Sequence, residues 1–414
     1  MRITFIAPPF AGHFNPLLIL AIAARDAGYQ VDFITGPRKF PVLEANGIKP
    51  APLHSVGFHT LETIANTHTA VRSNPFRLIE QLKQNLRLLP SVRDELVQLW
   101  KSDPPDMVVA DSVAIVLGPI CEGLKIPWIS TCASPATIDI WRGTPSYCGG
   151  WSPLGNPFGR MRDAAGRAAI HTFKRTMAAV FRKEFAALGV DRVYRPDRSE
   201  IIYSPQALLG FGISELEFER DWPAAFQMIG PLFVAPEQES ANILPQARPR
   251  VLVSHGTHLV WAKKTLVEEV VALSEMLPHV RFVVSLGEPE NAGQPGEQRT
   301  DRVSVHPFVS YGDSLSEFDA MIHHAGTGVV YAAIRTGLPS LVIPRDYDQF
   351  DYAARVVHHK LGLRVKSLPN SAESLERLLD RKQWPAVARF QQYAKAYKPE
   401  ATFLQTVKRL SQSL

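Results

Sequence analysis

The strongest constraint on the fold is an alternation of short apolar runs with helical stretches, which begins at the first residues. Residues 2–7 (RITFIA) form an apolar run of the kind found in buried parallel strands. In the segment that follows, Asn15-Pro16 is typical of a helix start and Gly28 of a helix end. Residues 30–35 are a second strand-like run. The sequence therefore predicts a βαβ unit with a helix over 16–27.

The same alternation continues in two series along the chain. In the first series, strand-like runs lie at 106–110, 126–130 and 201–203, and helical patterns cover 76–101 and 159–189. In the second series, strand-like runs lie at 250–254, 280–286, 303–306, 320–323 and 340–344, and helical patterns cover 260–277 and 328–336. Residues 287–300 read as a polar loop. Strands that alternate with helices predict an α/β fold with parallel sheets.

The length of the chain predicts two domains. A chain of 414 residues exceeds what one ordinary hydrophobic core supports. Residues 231–249 are rich in Pro and polar side chains and separate the two series. We therefore expect one α/β domain over 1–230, a linker over 231–249 and a second α/β domain from 250 onwards.

Composition excludes several classes of protein. Lys and Arg number 45 and Asp and Glu 40, a net charge of +5 that suits an anionic small molecule and lacks the concentrated basic stripe of nucleic-acid-binding proteins. The basic helical pattern over 159–189 predicts solvated surface, with a weak membrane-surface contact or a contact with an acidic ligand as the alternatives. Three cysteines without CxxC spacing, and a first segment that reads as a strand, predict a cytoplasmic protein with no transmembrane segment.

Polar residues collect where the predicted strands end. Because ligands of open parallel sheets bind beyond the carboxyl ends of the strands, these positions predict a cleft between the domains. They are His13, Asp111, Ser254 to His258, His323 to Gly328, and Asp348-Gln349.

The turn at 323–328 is the most informative of these positions. Glycines allow close approach of a ligand to the backbone, and a helix N-terminus offers free N–H groups and a partial positive charge, which together suit a diphosphate. The residues alone fit a tight turn with incidental histidines equally well. No GxxxxGK[ST] motif is present, and Gly210-Phe211-Gly212 lacks the third glycine and the strand-to-helix context of a dinucleotide site.

Residues 322–350 resemble the donor-binding signature of GT-B nucleotide-sugar glycosyltransferases, particularly bacterial enzymes that act on natural products, and also plant and mammalian UDP-glycosyltransferases. The matching positions are His323-His324, Gly326, Gly328, Gly337-x-Pro339, Pro344-Arg345 and Asp348-Gln349. The segments AGHFNPLL, PDMVVADS, SELEFERDWPAAFQMIGPL, VLVSHGTH and KPEATFLQTVKRL also resemble the family. The resemblance covers nearly the whole chain and is weakest at 55–100 and 155–200.

The resemblance implies two Rossmann-like domains facing each other across a cleft. The acceptor would bind to 1–230, the nucleotide sugar to 250–396, and a helix in 397–414 would pack back toward the first domain. It also implies an inverting, metal-independent transfer in which His13 is the base and Asp111 orients its ring. Without the surrounding motif, His13 is equally well interpreted as an ordinary turn residue, and Asp111 as a helix cap after a strand.

The resemblance further implies the binding residues. The donor, a dTDP- or UDP-sugar acting as co-substrate, would contact Thr257, Phe308, Val309, His324, Gly326, Thr327, Gly328, Val329, Asp348 and Gln349. Core packing is the alternative role for Phe308. A small apolar or aromatic acceptor would contact Phe10, Trp141, Tyr147 and Trp151. No metal site is expected, because adjacent histidines rarely face one ion and no Cys or carboxylate set accompanies them.

Three positions depart from the family pattern. Ala332 stands where UDP-glucose users carry a ribose-binding Glu, Val329 where a hydroxyl meets phosphate, and Ser310-Tyr311 where a Pro-Gln step follows the base-stacking aromatic. The missing Glu favours a dTDP-sugar. The departures leave room for a non-catalytic GT-B auxiliary partner of another glycosyltransferase, a GT-B nucleotide-sugar epimerase or a pure binding module.

Overall fold

The described part of the chain is built on two sheets of seven strands each, which are parallel except at one edge. The structure, a computed structural model, describes residues 1–57, 75–233, 247–257, 260–292 and 294–412. The strand order of the first sheet is β3-β2-β1-β4-β5-β6-β7, and all of its neighbouring strands are parallel. Its strands are β1 Arg2–Ile6, β2 Gln30–Ile34, β3 Lys49–Pro50, β4 Met107–Asp111, β5 Trp128–Cys132, β6 Leu208–Gly210 and β7 Phe226–Met228.

The second sheet repeats this arrangement. Its order is β10-β11-β9-β8-β12-β13-β14, and only the edge strand β10 is antiparallel to its neighbour. Its strands are β8 Arg250–Ser254, β9 Arg281–Ser285, β10 Glu297–Thr300, β11 Val303–His306, β12 Ala320–His323, β13 Ser340–Val342 and β14 Gly362–Arg364. The described chain thus has the two α/β units that the sequence predicts.

Helices cover the faces of both sheets and bury the apolar strands between them. Around the first sheet they are Ala11–Asp26, Phe40–Ala45, Pro75–Ser102, Leu117–Leu124, Pro157–Val180 and Arg182–Ala187. In the second half of the chain they are Val260–Lys263, Leu266–Met276, Thr327–Thr336, Gln349–His358, Ala372–Leu379, Pro385–Ala396 and Pro399–Ser411. Strands β1, β4, β8 and β12 are almost wholly buried, which explains their apolar runs.

The structure corrects the predicted start of the first helix. The helix begins at Ala11 instead of Pro16, with Phe10 extended at its N-cap and the amides of His13 and Phe14 bonded to the Phe10 carbonyl. Pro16 therefore lies inside the helix and cannot donate to the Gly12 carbonyl one turn earlier. His13 consequently stands in the first helical turn and not in a loop.

Two smaller predictions are also wrong. Residues 201–203 form a turn, and the next strand is Leu208–Gly210, because Ser204 binds the backbone of Trp128 and Ala207 there and delays the pairing. Residues 297–300 form an antiparallel edge strand inside the predicted polar loop. The linker and domain limits stay predictions, and residues 234–246 lie outside the described part of the chain.

The helix Pro399–Ser411, here called the crossing helix, follows the second sheet in sequence but packs on the first. Phe403, Val407 and Leu410 are buried in the core that contains Phe5, and the Phe403 and Phe5 rings lie 5.9 Å apart. The chain therefore returns to the first sheet after completing the second.

Strand order reverses at one point in each sheet, between β1 and β4 and between β8 and β12. Open parallel sheets bind ligands beyond the carboxyl ends of strands at such a reversal. His13 and Asp111 lie there in the first sheet, and Ser254 and His323 end the corresponding strands of the second. The fold thus brings the predicted site residues to both reversal points.

Candidate active site

His13 and Asp111 form a direct pair at the reversal of the first sheet. His13 Nδ1 lies 2.9 Å from Asp111 Oδ2, and the Asp111 side chain has no exposed surface while His13 keeps 30% of its side chain exposed. The Val113 amide donates to the other carboxylate oxygen at 3.0 Å. Both oxygens of Asp111 are therefore occupied, so its orientation is fixed.

The charge around His13 favours protonation of its ring. Burial alone would lower the pKa of His13, but the attraction of Asp111, the hydrogen bond between them and the nearby Asp348 together raise it above its usual value. An Nδ1–H that donates to Asp111 leaves Nε2 with the lone pair. The pair can therefore accept a proton at Nε2 and stabilise the resulting cation.

The helix Thr327–Thr336, here called the donor helix, points its N-terminus at the reversal of the second sheet. Gly326 is its extended N-cap, and the amide of Val330 closes the first turn on the Gly326 carbonyl. The amides of Thr327, Gly328 and Val329 precede that first bond and have no partner within the helix. Gly328 is exposed, with open space where a Cβ would stand, so a ligand can approach this end closely.

The glycines beside His324 make room for its ring. A Cβ on Gly256 would lie 2.7 Å from His324 Cε1, and one on Gly326 would collide with His324 Nε2. The imidazole is thus held between the loop after β8 and the start of the donor helix. Close packing of His324 is a reason for Gly326 that the sequence analysis did not recognise.

Two further histidines at this point are neutral. Burial, together with the nearby His324 and Arg345, lowers the pKa of His255 to about 3. Burial, His324 and His255 hold the pKa of His323 well below its usual value. His255 Nδ1 lies 3.2 Å from the Ala262 carbonyl, and the Ala325 amide donates to His323 Nδ1 at 3.1 Å. Both rings therefore shape the turns around His324.

Asp348 joins the two halves of the site. Its carboxylate lies 2.6 Å from Ser134 Oγ and 3.3 Å from Thr327 Oγ1, and the two hydroxyls lie 2.5 Å apart. Burial raises the pKa of Asp348, while hydrogen bonds from Ser134 and Thr327 and the charge of His13 oppose the rise. The sequence analysis missed Ser134, although it lies two residues after the end of β5, at the kind of position where ligands of parallel sheets bind.

Several predicted donor residues have buried side chains. Val309 and Val329 belong to an apolar cluster under the donor helix, so only the backbone of Val329 faces the helix end. Gln349 is buried, and its side-chain oxygen accepts from the Arg345 and Asp346 amides at 2.8 and 3.0 Å. Phe308 is half-buried and outside the apolar clusters of the described residues, which argues against core packing. Thr257 is also half-buried.

The position of Ala332 removes the structural basis for the expectation that the missing Glu favours a dTDP-sugar. Ala332 is 0% exposed and lies in the same apolar cluster as Val309 and Val329. A carboxylate at this position would enter the core and would not face a ribose. The absence of Glu here therefore does not distinguish dTDP from UDP.

The four predicted acceptor residues fall into two groups. The Phe10 ring lies 6.4 Å from the His13 ring, and the exposed Tyr147 donates its amide to Asp351 of the second unit at 2.9 Å. Trp141 packs instead on His171, 4.1 Å away, and Trp151 lies under Arg162 at 4.7 Å. Of these four residues, Phe10 and Tyr147 thus contact residues in or next to the site, whereas Trp141 and Trp151 pack elsewhere.

A buried ion pair also crosses between the units and was not predicted. Arg355 donates to Glu217 Oε2 at 2.7 and 3.1 Å, and both side chains are buried. This charge pair holds the helix Gln349–His358, which begins next to Asp348, against the segment after β6.

The described residues contain no group of three or more His, Cys, Asp or Glu arranged to hold a metal ion. None of the helices in the described ranges is long and apolar enough to cross a membrane.

Comparison with known proteins shows which proteins the chain is similar to. Residues 283–402 match the family "Erythromycin biosynthesis protein CIII-like, C-terminal domain". The chain is 26% identical over 390 residues to the NDP-glycosyltransferase YjiC of Bacillus subtilis (strain 168), which covers 91% of this chain and 87% of the relative. It is 24% identical over 398 residues to 4′-demethylrebeccamycin synthase of Lentzea aerocolonigenes, which covers 91% and 90%.

A solved structure extends the match to the whole chain. The crystal structure of the glycosyltransferase VinC in complex with dTDP superposes with a TM-score of 0.66 at 19% identity and covers 100% of both chains. The chain therefore has the GT-B fold, matches an EryCIII-like C-terminal domain over residues 283–402, and is similar along most of its length to glycosyltransferases of the natural-product type.

Proposed function

We propose that the protein transfers a sugar from a nucleoside-diphosphate sugar to a hydroxyl of a small apolar or aromatic acceptor, with inversion at the anomeric carbon. The observation that carries this proposal is the contact between His13 and Asp111 at 2.9 Å. A neutral imidazole fixed by a buried carboxylate is a suitable base for a hydroxyl near neutral pH.

The proposed reaction is a single displacement. The acceptor hydroxyl gives its proton to His13 Nε2 as its oxygen forms a bond to the anomeric carbon. The bond between that carbon and the diphosphate oxygen breaks, and the nucleoside diphosphate leaves with the electron pair. Asp111 stabilises the imidazolium that results, because it already receives the Nδ1–H.

The leaving diphosphate would bind at the donor helix. Free amides at a helix N-terminus and the partial positive charge of the helix stabilise phosphate oxygens. His324 stands between the two loops that border this end of the helix. A hydrogen bond donated by the His324 ring would stabilise the negative charge that develops on the diphosphate during the transfer. This side chain would therefore act on the chemical step as well as on binding.

Asp348 and Thr327 would bind the sugar hydroxyls. Their hydrogen-bond network with Ser134 lies between the donor helix and the first sheet. Asp348 is also close enough to His13 to raise the pKa of that histidine. This proximity supports a sugar position between the proposed base and the proposed diphosphate site.

The nucleotide is proposed to be dTDP or UDP. VinC binds dTDP, and the NDP-glycosyltransferase YjiC is a sequence relative, so both support a nucleoside-diphosphate sugar. Activity is proposed to need no metal ion. A non-catalytic auxiliary protein, an epimerase or a binding module would not need a histidine base, His13, that is held by the carboxylate of Asp111.

One experiment separates these alternatives. Purified protein is incubated with UDP-glucose or dTDP-glucose and a panel of phenolic acceptors, and released nucleoside diphosphate and product are measured together. Acceptor-dependent release with a β-linked product from an α-linked donor supports inverting transfer. An auxiliary protein or binding module gives no release. An epimerase changes the sugar without any acceptor.

A further inference from the structure

The helix Pro157–Val180, here called the basic helix, packs on the protein through a face that carries buried polar groups beside the half-buried Ile170 and Met177. Asp163 and His171 are buried on that face. Asp163 accepts from the Thr144 hydroxyl at 2.7 Å, and His171 contacts Asp139 and the Ile140 carbonyl at 3.2 and 3.1 Å. Lys174 on the same face pairs with Glu200 at 2.7 Å and Asp139 at 3.1 Å. The polar groups of this helix are thus used internally.

The outward face of the basic helix carries large exposed apolar side chains. Phe158, Met161 and Val180 are 67%, 65% and 63% exposed, and Phe173 is also exposed. Helical spacing places these side chains on one side of the helix, together with the exposed alanines at 165 and 169 and the exposed Thr172 and Thr176. Surface helices of globular proteins normally have the opposite arrangement, with the apolar side toward the core.

Exposed positive charge accompanies this apolar side. Arg160 and Arg175 are exposed on the basic helix, where Arg175 also lies over the Trp141 ring. Arg182 and Lys183 are exposed on the short helix that follows, where Glu184 is the exposed acidic residue. Leu154 is exposed as well and lies against Gly159 in the first turn of the helix. An apolar stripe bordered by Arg and Lys is the pattern of a helix that lies in the plane of an anionic membrane surface.

We propose that the outward face of the basic helix binds the surface of a membrane that contains anionic lipids. Phe158 and Met161 would insert among the acyl chains, while Arg160, Arg182 and Lys183 would contact phosphate groups. The opposite charge of the lipid headgroups and the apolar stripe together favour a lipid surface over a water-soluble protein partner. This proposal does not depend on which nucleotide the site binds or on transfer activity.

The basic helix is also connected to the candidate active site. Arg167 donates to the Gly143 carbonyl, and Gly166 lies against Pro145 and Trp151. The same segment binds the second unit through the Tyr147 amide and Asp351, three residues beyond Asp348. A membrane bound at this helix would therefore lie beside the segment in which the acceptor is proposed to bind.

Flotation with lipid vesicles tests the proposal. The full chain is mixed at low salt with vesicles of equimolar phosphatidylglycerol and phosphatidylcholine, or of phosphatidylcholine alone. We expect binding to the anionic vesicles, weakening at high salt. The double variants F158S/M161S and R160E/R182E should each reduce the bound fraction at limiting lipid by about tenfold or more. Matched controls are M276S and K382E, which alter exposed residues in the second half of the chain.

Each outcome of this experiment is decisive. Absence of binding to the anionic vesicles at low salt would overturn the proposal, and so would full binding by either double variant. A sedimentation velocity measurement identifies the competing occupant: if the chain self-associates and F158S/M161S abolishes the association without lipid, the face is a contact between protein copies. Circular dichroism melting of each variant verifies that it is folded.

Discussion

The Ser134 hydroxyl lies 2.6 Å from Asp348 Oδ2, so a serine at the end of a first-sheet strand binds a carboxylate that follows a second-sheet strand. The same hydroxyl lies 2.5 Å from Thr327 Oγ1. The two units of the fold therefore share one hydrogen-bond network at the place where the sugar is proposed to bind.

Replacement of Ser134 by alanine should weaken transfer. A hydrogen bond to a charged acceptor contributes roughly 1.5–3 kcal/mol, so Ser134→Ala should lower kcat/KM about tenfold to a hundredfold. Ser134→Thr keeps the hydroxyl and should stay close to the unmodified protein. Steady-state kinetics at varied donor concentration makes the comparison, and an unchanged kcat/KM in the alanine variant would contradict the prediction.

Removal of the proposed base should stop the chemical step. His13→Ala should lower kcat by roughly two to four orders of magnitude while donor binding persists. Asp111→Asn should lower kcat less, because the imidazole remains. Turnover at saturating acceptor and calorimetric donor titration measure the two effects separately. Near-normal turnover by His13→Ala would disprove the proposed mechanism.

The raised pKa of His13 determines the acid side of the pH profile. The base acts in its neutral form, so kcat/KM should fall on the acid side at a pH above the ordinary histidine value of 6.5. Asp111→Asn removes an attraction that raises this pKa, so its acid limb should move to lower pH. A limb at the same pH in both proteins would show that another group controls it.

The pair of His13 and Asp111 should stabilise the folded state most at acidic pH, where the transfer activity is lowest. The pKa of His13 is higher in the folded than in the unfolded chain, so the stabilisation is complete below the unfolded value. It is lost as pH rises through the folded value. The difference in Tm between the unmodified protein and Asp111→Asn should therefore be larger at acidic than at alkaline pH.

Transfer should continue without a divalent ion. The helix N-terminus and His324 are proposed to stabilise the leaving diphosphate, so exhaustive dialysis against EDTA should leave kcat unchanged. Loss of activity in EDTA that one added metal restores would refute the metal-free proposal.

Ala332→Glu should destabilise the protein instead of changing its nucleotide preference. Ala332 has no exposed surface, and burying an unpaired carboxylate in an apolar cluster should cost about 3 kcal/mol or more. The exposed Ala388, on the helix Pro385–Ala396, provides the control Ala388→Glu, which should leave Tm nearly unchanged. Thermal melting compares the Tm of the two variants with that of the unmodified protein. A stable Ala332→Glu protein that favours UDP-sugars would mean that this position faces the ribose.

Much of the fold was readable from the sequence, because its central strands are apolar runs with Gly and Pro between them. Strands β1, β4, β8 and β12 are of this kind, and each lies within two residues of its predicted limits. The short strands β7 and β14 have no comparable signal. Strand β6 was misplaced at 201–203, although it lies in the apolar run ALLGFGI at 207–213. Pro16 misled the prediction because proline is common at a helix start, whereas here the Phe10 carbonyl begins the helix earlier.

The candidate site was predictable where it follows strand ends. His13, Asp111, Thr327 and Asp348 were named from their positions and lie in two connected networks. The direction in which each side of the donor helix faces was not readable from the sequence. Val329 was therefore assigned to the donor, and the position of Ala332 was taken to face the ribose, although both side chains pack in the core. Contacts between the two units, such as that of Glu217 with Arg355, join residues 138 positions apart and leave no local pattern.

The crossing helix has a consequence for how the chain reaches its native state during synthesis. Phe403 and Val407 are fully buried among first-unit residues, from Ile3 and Phe5 to Leu232, that are all translated long before them. Until those side chains emerge from the ribosome, the first unit keeps an uncovered apolar surface around Phe5, which is a natural binding site for chaperones. The second unit has no such dependence, because the residues of its core either lie within it or, like Ala136 and Leu216, are translated earlier. The half of the protein that is made first is therefore the half that is completed last.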